Sequence, residues 1–172
     1  MIITAGIYKG RKIIAPSEKI TRPTLSKTRM GVFNTLYSII GDFNEKSFLD
    51  VFGGSGIIGL EALSRGFAKV KVFELNKKSA EIIKKNYNTL GLSPDLTIGD
   101  SIKLVKKSEE NFDVAYIDPP YKSDLYEDII KNVKAKIIVV ESSDVVEFDN
   151  CNIVKQKTYG SSIVSFVTKV KM

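Results

Sequence analysis

Phe48-Leu49-Asp50-Val51-Phe52 runs directly into Gly53-Gly54-Ser55-Gly56-Ile57-Ile58-Gly59. A short apolar run, a glycine cluster and a renewed apolar run predict a strand, a tight loop and the start of a helix. Gly54 to Gly59 match G-x-G-x-x-G, and Glu74 stands 20 residues after Gly54, at the end of the next apolar run, Val70-Lys71-Val72-Phe73. Such a loop lets the backbone approach a ligand closely. The helix start offers free N–H groups, and the acidic side chain suits ribose hydroxyls.

The same alternation continues on both sides. Strands are expected at 48–52, 70–74, 96–99, 112–117 and 136–140, with helices at 56–64, 77–90, 101–107 and 125–132 between them. Asn76 reads as the N-cap of the helix at 77–90 and Gly91 as its stop. Alternating β and α elements imply a largely parallel sheet with helices on both faces. Residues 152–157 and 163–170, joined by Tyr159-Gly160-Ser161-Ser162, read as a terminal hairpin. At the other end, residues 1–20 read as a hairpin turning near Tyr8-Lys9-Gly10. Arg22-Pro23-Thr24 opens a helix that runs through Ile40.

A second motif follows the run Phe112 to Ile117: Asp118-Pro119-Pro120-Tyr121. It falls in the loop at a strand's carboxyl end, where open α/β sheets bind ligands. Two prolines fix both φ angles and donate no N–H, so the loop presents carbonyl oxygens, a carboxylate and an aromatic ring. Acceptors beside a stacking face suit a planar base that carries an amino group. An Asp-Pro turn without function is the plain alternative. Asp50 separates possible ligands of the glycine loop. A carboxylate there would repel the pyrophosphate of NAD, whereas S-adenosylmethionine carries no phosphate and presents a cationic sulfonium and amino group. Asp50 can also be read simply as a strand-end residue bonding the loop backbone.

The chain has 172 residues, one cysteine and no histidine. That length fits one domain. Without histidine, His-based triads, His–metal sites and histidine general bases are excluded, and no metal site is expected. Cys151 cannot form an internal disulfide and reads as a filler near the last strands. No apolar run reaches the length of a membrane span, so a cytoplasmic protein is expected. Residues 1–40 hold seven basic residues against Glu18 alone, and the remainder holds 19 of each sign. The net charge of +6 is therefore concentrated at the start, the footprint of a polyanion-binding segment.

Asp50-x-Phe52-x-Gly54-x-Gly56 followed by Asp118-Pro119-Pro120-Tyr121 resembles the Class I S-adenosylmethionine-dependent methyltransferases that act on exocyclic amines. Thr21-Arg22-Pro23-Thr24, Lys27, Arg29 and Phe33-Asn34, with Gly59-Leu60-Glu61-Ala62-Leu63-Ser64-Arg65-Gly66, extend the likeness. They resemble the bacterial 16S ribosomal RNA guanine-N(2)-methyltransferases of the small subunit, over nearly the whole chain. Met30 departs from that family, which usually has Glu after the arginine aligned with Arg29.

The resemblance implies a Rossmann-like α/β domain over residues 1–172, with a mostly parallel seven-stranded sheet, an antiparallel closing strand and a basic N-terminal β-hairpin extension over 1–22. It implies S-adenosylmethionine as cofactor, held by Asp50, Phe52, Gly53, Gly54, Ser55, Gly56, Glu74, Leu75, Asp100 and Ser101. Asp118, Pro119, Pro120 and Tyr121 would form the catalytic loop, and Lys9, Arg11, Lys12, Arg22, Lys27 and Arg29 would meet RNA. Asp100 is also a good helix N-cap, Phe43 and Phe52 could flank adenine or be core, and Glu141 reads as a surface or cap residue.

The expected activity is methylation of a guanine 2-amino group in 16S rRNA, by a monomer that takes its RNA within a partly or fully assembled small subunit. An adenine amino-methyltransferase of DNA or RNA would use the same loop. An NAD-dependent oxidoreductase or a non-catalytic RNA-binding module accounts for fewer of the motifs. With no histidine, and with Asp118 expected to be ionised well below neutrality, the rate of the chemical step is expected to be nearly flat between about pH 6 and 9.

Overall fold

The computed structural model describes residues 1–15, 26–120 and 125–170. The β-branched and aromatic runs form β1 (Ser47–Asp50), β2 (Lys69–Glu74), β3 (Asp95–Ile98), β4 (Phe112–Ile117), β5 (Ala135–Ser142), β6 (Cys151–Tyr159) and β7 (Ser162–Lys169). They build one sheet in the order β3-β2-β1-β4-β5-β7-β6. The first five are parallel, and β7 lies antiparallel between β5 and β6. This is the seven-stranded Rossmann-like α/β arrangement expected above, closed by an antiparallel strand.

Helices α1 (Ser26–Ile40), α2 (Ile57–Ser64) and α3 (Lys77–Thr89) cover one face, and α4 (Ser101–Lys107) and α5 (Leu125–Asn132) the other. Strand alternation divides the core accordingly. Phe48, Val72, Val114 and Tyr116 pack under α1, α2 and α3, while Leu49, Val51, Ile117 and Ile138 pack under α4 and α5. Phe43 stacks on Phe67 at 4.5 Å among the core aromatics, which removes it from any adenine pocket. Asn76 Oδ1 accepts from the Lys78 and Ser79 N–H groups, the N-cap the sequence predicted.

From β1 the chain winds outward to β2 and β3, and from β4 it winds the other way. The switch point therefore lies between β1 and β4. Asp50 pairs in register with Tyr116, so the glycine loop and the Asp118 loop open side by side at this one crevice.

The N-terminal hairpin is shorter than expected. Ile2 and Lys12 form a single isolated bridge, extended only by bonds among Met1, Ile3, Gly10, Arg11 and Ile13. The reason is competition from α2. The Ile7 N–H donates to the Ser64 carbonyl at 2.9 Å, the Tyr8 N–H to Ser64 Oγ at 2.9 Å, and Ser64 Oγ to the Ala5 carbonyl at 2.6 Å. A longer ladder would need those same backbone groups. Gly6 (φ +82°) permits the approach, since a Cβ there would lie 1.8 Å from the Ser64 carbonyl oxygen. The remainder of the expected extension and the helix opening at Arg22-Pro23-Thr24 lie outside the described residues. Among the described residues no helix is long and apolar enough to cross a membrane.

Candidate functional site

The glycine loop leaves β1 over a packed floor. Gly53 donates to the Phe73 carbonyl at 2.8 Å, and a Cβ at Gly53 would strike Val72 Cγ1 at 2.4 Å. Gly54 (φ +57°) and Gly56 (φ +81°) turn the chain into α2. Glu74, at the end of β2, clasps the loop. One carboxylate oxygen accepts the Gly54 N–H at 2.7 Å and the other the Asn76 N–H at 2.7 Å. A carboxylate oxygen has more than one acceptor site, and Glu74 is only half-buried, so it can still receive ligand hydroxyls.

Asp50 does not face the crevice surface as expected. It is 1% exposed beneath the loop, and its Oδ2 has no hydrogen-bond partner. Burial pushes its carboxyl up to about 7, and the Glu74 charge adds to the rise. The Phe52 and Gly59 N–H groups oppose it. This is a titrating group within the pH range over which the sequence predicted a flat rate. The hydroxyl of Tyr87, from α3, is also buried without a partner, and burial and the Asp50 charge raise its pKa.

Around this centre the remaining predicted donor residues divide. Leu75 is 64% exposed beside Glu74, an apolar surface on the crevice rim. Phe52 is half-buried, and Asp100 is half-buried with Oδ1 capping α4 through the Lys103 N–H at 2.9 Å. Ser101 is buried, and its hydroxyl is committed to the Val51 carbonyl at 2.6 Å. Ser55 is buried as well, and its carbonyl accepts from Asn86 Nδ2 at 2.9 Å. Asn86 escaped sequence reading. From α3 it also exchanges two bonds with Ile14, of 2.8 and 2.9 Å, and so joins the N-terminal segment to the glycine loop.

On the acceptor side, Asp118 is half-buried, Pro119 buried and Pro120 exposed, while Tyr121 lies outside the described residues. Two residues before Asp118, the buried Tyr116 hydroxyl donates to the Glu141 carboxylate. The other Glu141 oxygen accepts from Ser162 Oγ at 2.9 Å, and the Tyr126 hydroxyl donates to the Glu141 carbonyl at 3.2 Å. Glu141 is thus a buried anchor shared by the ends of β4, β5 and β7, and the reading as a surface or cap residue is corrected. Burial, then Asp118 and Glu141, pushes the Tyr126 phenol up to about 12.

Of the residues predicted to meet RNA, Lys9, Arg11, Lys12 and Lys27 are exposed, and Arg22 lies outside the described residues. Arg29 is corrected. It is 1% exposed, donates to the Ile2 carbonyl at 2.7 Å and to Ser26 Oγ at 3.2 Å, and lies 3.8 Å from the fully buried Glu61. Burial lowers its pKa, and the fields of Glu61, Tyr116 and Glu141 oppose that. A guanidinium so enclosed fastens the N-terminal segment to α1 and α2 and cannot meet a phosphate. Helical spacing carried the signal: Val32, Phe33 and Leu36, three, four and seven residues on, are all buried.

The chemistry this crevice can perform is set by its two rims. One offers a glycine turn, a ribose-competent carboxylate and an apolar ledge. The other offers the Asp118 carboxylate, two residues beyond the buried Tyr116 that bonds Glu141.

A family model described as Conserved hypothetical protein 95 matches residues 1–168. A ribosomal RNA small subunit methyltransferase D from Haemophilus influenzae is 34% identical over 179 aligned residues, covering 95% of this chain and 90% of that protein. A solved structure from Haemophilus influenzae, provisionally described as a methylase, superposes with a TM-score of 0.76 at 30% identity and covers 99% of each chain. A second, from Escherichia coli and provisionally described as a methyltransferase, superposes with a TM-score of 0.85 at 24% identity. It covers 99% of this chain and 98% of its own.

Proposed function

This chain belongs to the family described as Conserved hypothetical protein 95, and from that premise we propose that it is an S-adenosylmethionine-dependent ribosomal RNA methyltransferase acting on the 2-amino group of a guanine in the 16S rRNA. The observation that carries the reading is the register of Asp50 with Tyr116. It sets the glycine loop beside the loop that opens at Asp118, at a single crevice.

When bound, S-adenosylmethionine supplies an electrophilic methyl group on a sulfonium. Glu74 receives the ribose hydroxyls, while Leu75 and Phe52 offer apolar contact to the adenine. Asp100, at the start of α4, supplies acceptor capacity nearby. Asp50 is too deep for direct contact. Once ionised it favours a cation above the loop, and burial makes that ionisation costly until a cation is present.

The acceptor amine is a weak nucleophile because its lone pair is delocalised into the base. The Asp118 carboxylate and the Pro119 carbonyl would accept its two N–H groups and localise the lone pair for transfer. Tyr121, which follows Pro120 in sequence, would supply a ring for the base to stack on, a contact worth about 1–3 kcal/mol. The residues contribute chiefly proximity and orientation. Transfer would form the N–C bond, break the S–C bond and leave a neutral thioether, and the cationic amine, being strongly acidic, would lose its proton to water without a tuned general base. The guanine must be extruded or already unpaired to reach the loop.

The chain acts as one domain and as a monomer in the cytoplasm, with its basic N-terminal segment on rRNA of a partly or fully assembled small subunit. The buried Asp50 and the Glu74 clasp disfavour an NAD pyrophosphate on this loop. An adenine amino-methyltransferase remains chemically the nearest alternative, since the Asp118 loop would accept either amine. Two measurements test the reading. Isothermal titration should show binding of S-adenosylmethionine and none of NAD. Nucleoside mass spectrometry of rRNA from a strain lacking the protein should show the loss of one 2-methylguanosine, and an unchanged profile would refute the assignment.

A further inference from the structure

Beyond residue 40 the acidic and basic side chains balance, but this balance averages two opposite segments. Residues 41–150 hold 15 basic and 19 acidic residues, whereas residues 151–172 hold four lysines and no acidic residue. Two of those lysines, Lys155 and Lys157, lie on β6, an edge strand of the sheet, where seven of nine residues are exposed. Neither forms an ion pair among the described residues.

Their direction follows from register. Lys155 opposes Phe166 and Lys157 opposes Val164 across the β6–β7 ladder, and directly opposed residues share a face. Phe166 and Val164 belong to the core layer under α1. Both lysines therefore stand on the α1 side of the sheet.

Tyr159 lies on the same face, two residues beyond Lys157, and presses on α1, since a Cβ at Gly31 would fall 2.4 Å from its ring. The first turns of α1 carry the exposed Lys27, and the basic N-terminal segment precedes them. Lys27 lies four residues before Gly31, on the same side of α1 as the Tyr159 contact, so positive charge from α1 and from β6 shares that side. The stripe also ends at the acceptor rim: Ser162, paired with Tyr159, donates to Glu141 beneath the Asp118 loop.

We propose that β6, through Lys155 and Lys157, is a second RNA-contact surface, holding phosphates of the strand that leads into the acceptor loop. The proposal rests on the rRNA methyltransferase reading and adds to it where the RNA lies. An edge strand exposed on both faces is otherwise an aggregation hazard, and lysines blunt it. That explanation requires neither that both lysines face the α1 side nor that they share it with Lys27. Phosphate binding accounts for both.

The test compares two double charge reversals of equal size, Lys155→Glu with Lys157→Glu on β6, and Lys103→Glu with Lys131→Glu on the exposed surfaces of α4 and α5. Each is titrated against in vitro transcribed 16S rRNA at several salt concentrations, with donor affinity measured in parallel. The β6 variant should lose about 0.7–0.9 of slope in log K against log salt per phosphate released, roughly 1.4–1.8 for both lysines. Its affinity for RNA should fall at least about tenfold at low salt, with donor affinity unchanged. The α4–α5 variant should keep the native slope.

Equal slope changes in the two variants, or none in either, overturn the proposal. Failure of the parent reading looks different. If the native chain binds the RNA with the predicted slope difference but transfers no methyl group to it, the surface stands and the activity assignment falls. If the native chain shows no binding to the RNA, both fall.

Discussion

The two rims of the crevice are held in shape by different kinds of bond. On the β2 side the loop is fixed by its own backbone: Gly53 to Phe73, Gly56 to Gly53, and the Gly54 and Asn76 N–H groups on Glu74. On the β5 side the anchors are side chains meeting side chains, with Tyr116 and Ser162 on Glu141 and Arg29 buried within their field. Backbone clasps tolerate most substitutions except at the glycines and Glu74. A buried side-chain network instead leaves a polar group stranded when any one member is removed. The donor rim should therefore respond locally to mutation, and the acceptor rim should respond as a unit, with the N-terminal segment included.

Arg29→Ala gives the largest expected effect. It takes the donor from the Ile2 carbonyl and empties the site of a large buried side chain, while Glu61 keeps Arg65 at 2.9 Å and the Thr4 N–H, and it should cost about 3–5 kcal/mol of stability in denaturant titrations. The salt slope of RNA binding should not move. A stable Arg29→Ala protein with a reduced slope would restore Arg29 to the RNA surface and break the comparison.

Asp50 tests the donor rim by pH. Its carboxyl is pushed up from an ordinary value of 3.8 to about 7, so the folded state keeps a proton that the unfolded chain has already released. Stability from this group is greatest below about 3.8, declines as pH rises towards about 7, and levels off above. The total approaches about 4 kcal/mol at roughly 1.4 kcal/mol per unit. Thermal melts of the native chain and Asp50→Asn should diverge in slope between pH 4 and 7, the variant lacking this decline. Parallel curves would mean that Asp50 is not held protonated.

Asp118→Ala should slow single-turnover transfer by about 100- to 1,000-fold, the usual loss for one oriented polar contact to a reacting group, with donor affinity intact. Glu74→Ala should lower donor affinity about 10- to 100-fold, the equivalent of about 1.5–3 kcal/mol for bonds to a charged acceptor, with a smaller change in rate at saturating donor. If both variants lose donor binding alike, the two rims are not separate sites.

The strands and helices were legible because their signals are local. Alternation and apolar runs from β1 to β5, the Asn76 cap and the glycine turn are each encoded within a few residues. Misreadings arose where distant partners decide burial. Glu141 stands at the start of a polar stretch, Glu141-Ser142-Ser143-Asp144, and looks exposed until β7 inserts beside β5 and brings Ser162 to it from 21 residues away. Asn86 has no local mark, since Ile14 and Ser55 lie 72 and 31 residues distant.

The hairpin was overextended because only the fold reveals that Ser64 takes its backbone groups. Arg29 is a different case. Its helical spacing with Val32, Phe33 and Leu36 marks the buried face, while its charge suggests the surface. The burial of Asp50 was hidden for a related reason, because it sits at a strand end in sequence and beneath a loop in space.

Product analysis tests the central claim most directly. Native chain and Asp118→Ala are incubated with methyl-labelled S-adenosylmethionine and 16S rRNA, and the digested nucleosides are separated by mass spectrometry. The account predicts label in 2-methylguanosine with the native chain and at least about a 100-fold slower yield with the variant, at equal donor binding. Label in a methylated adenosine, or undiminished 2-methylguanosine with Asp118→Ala, would contradict it.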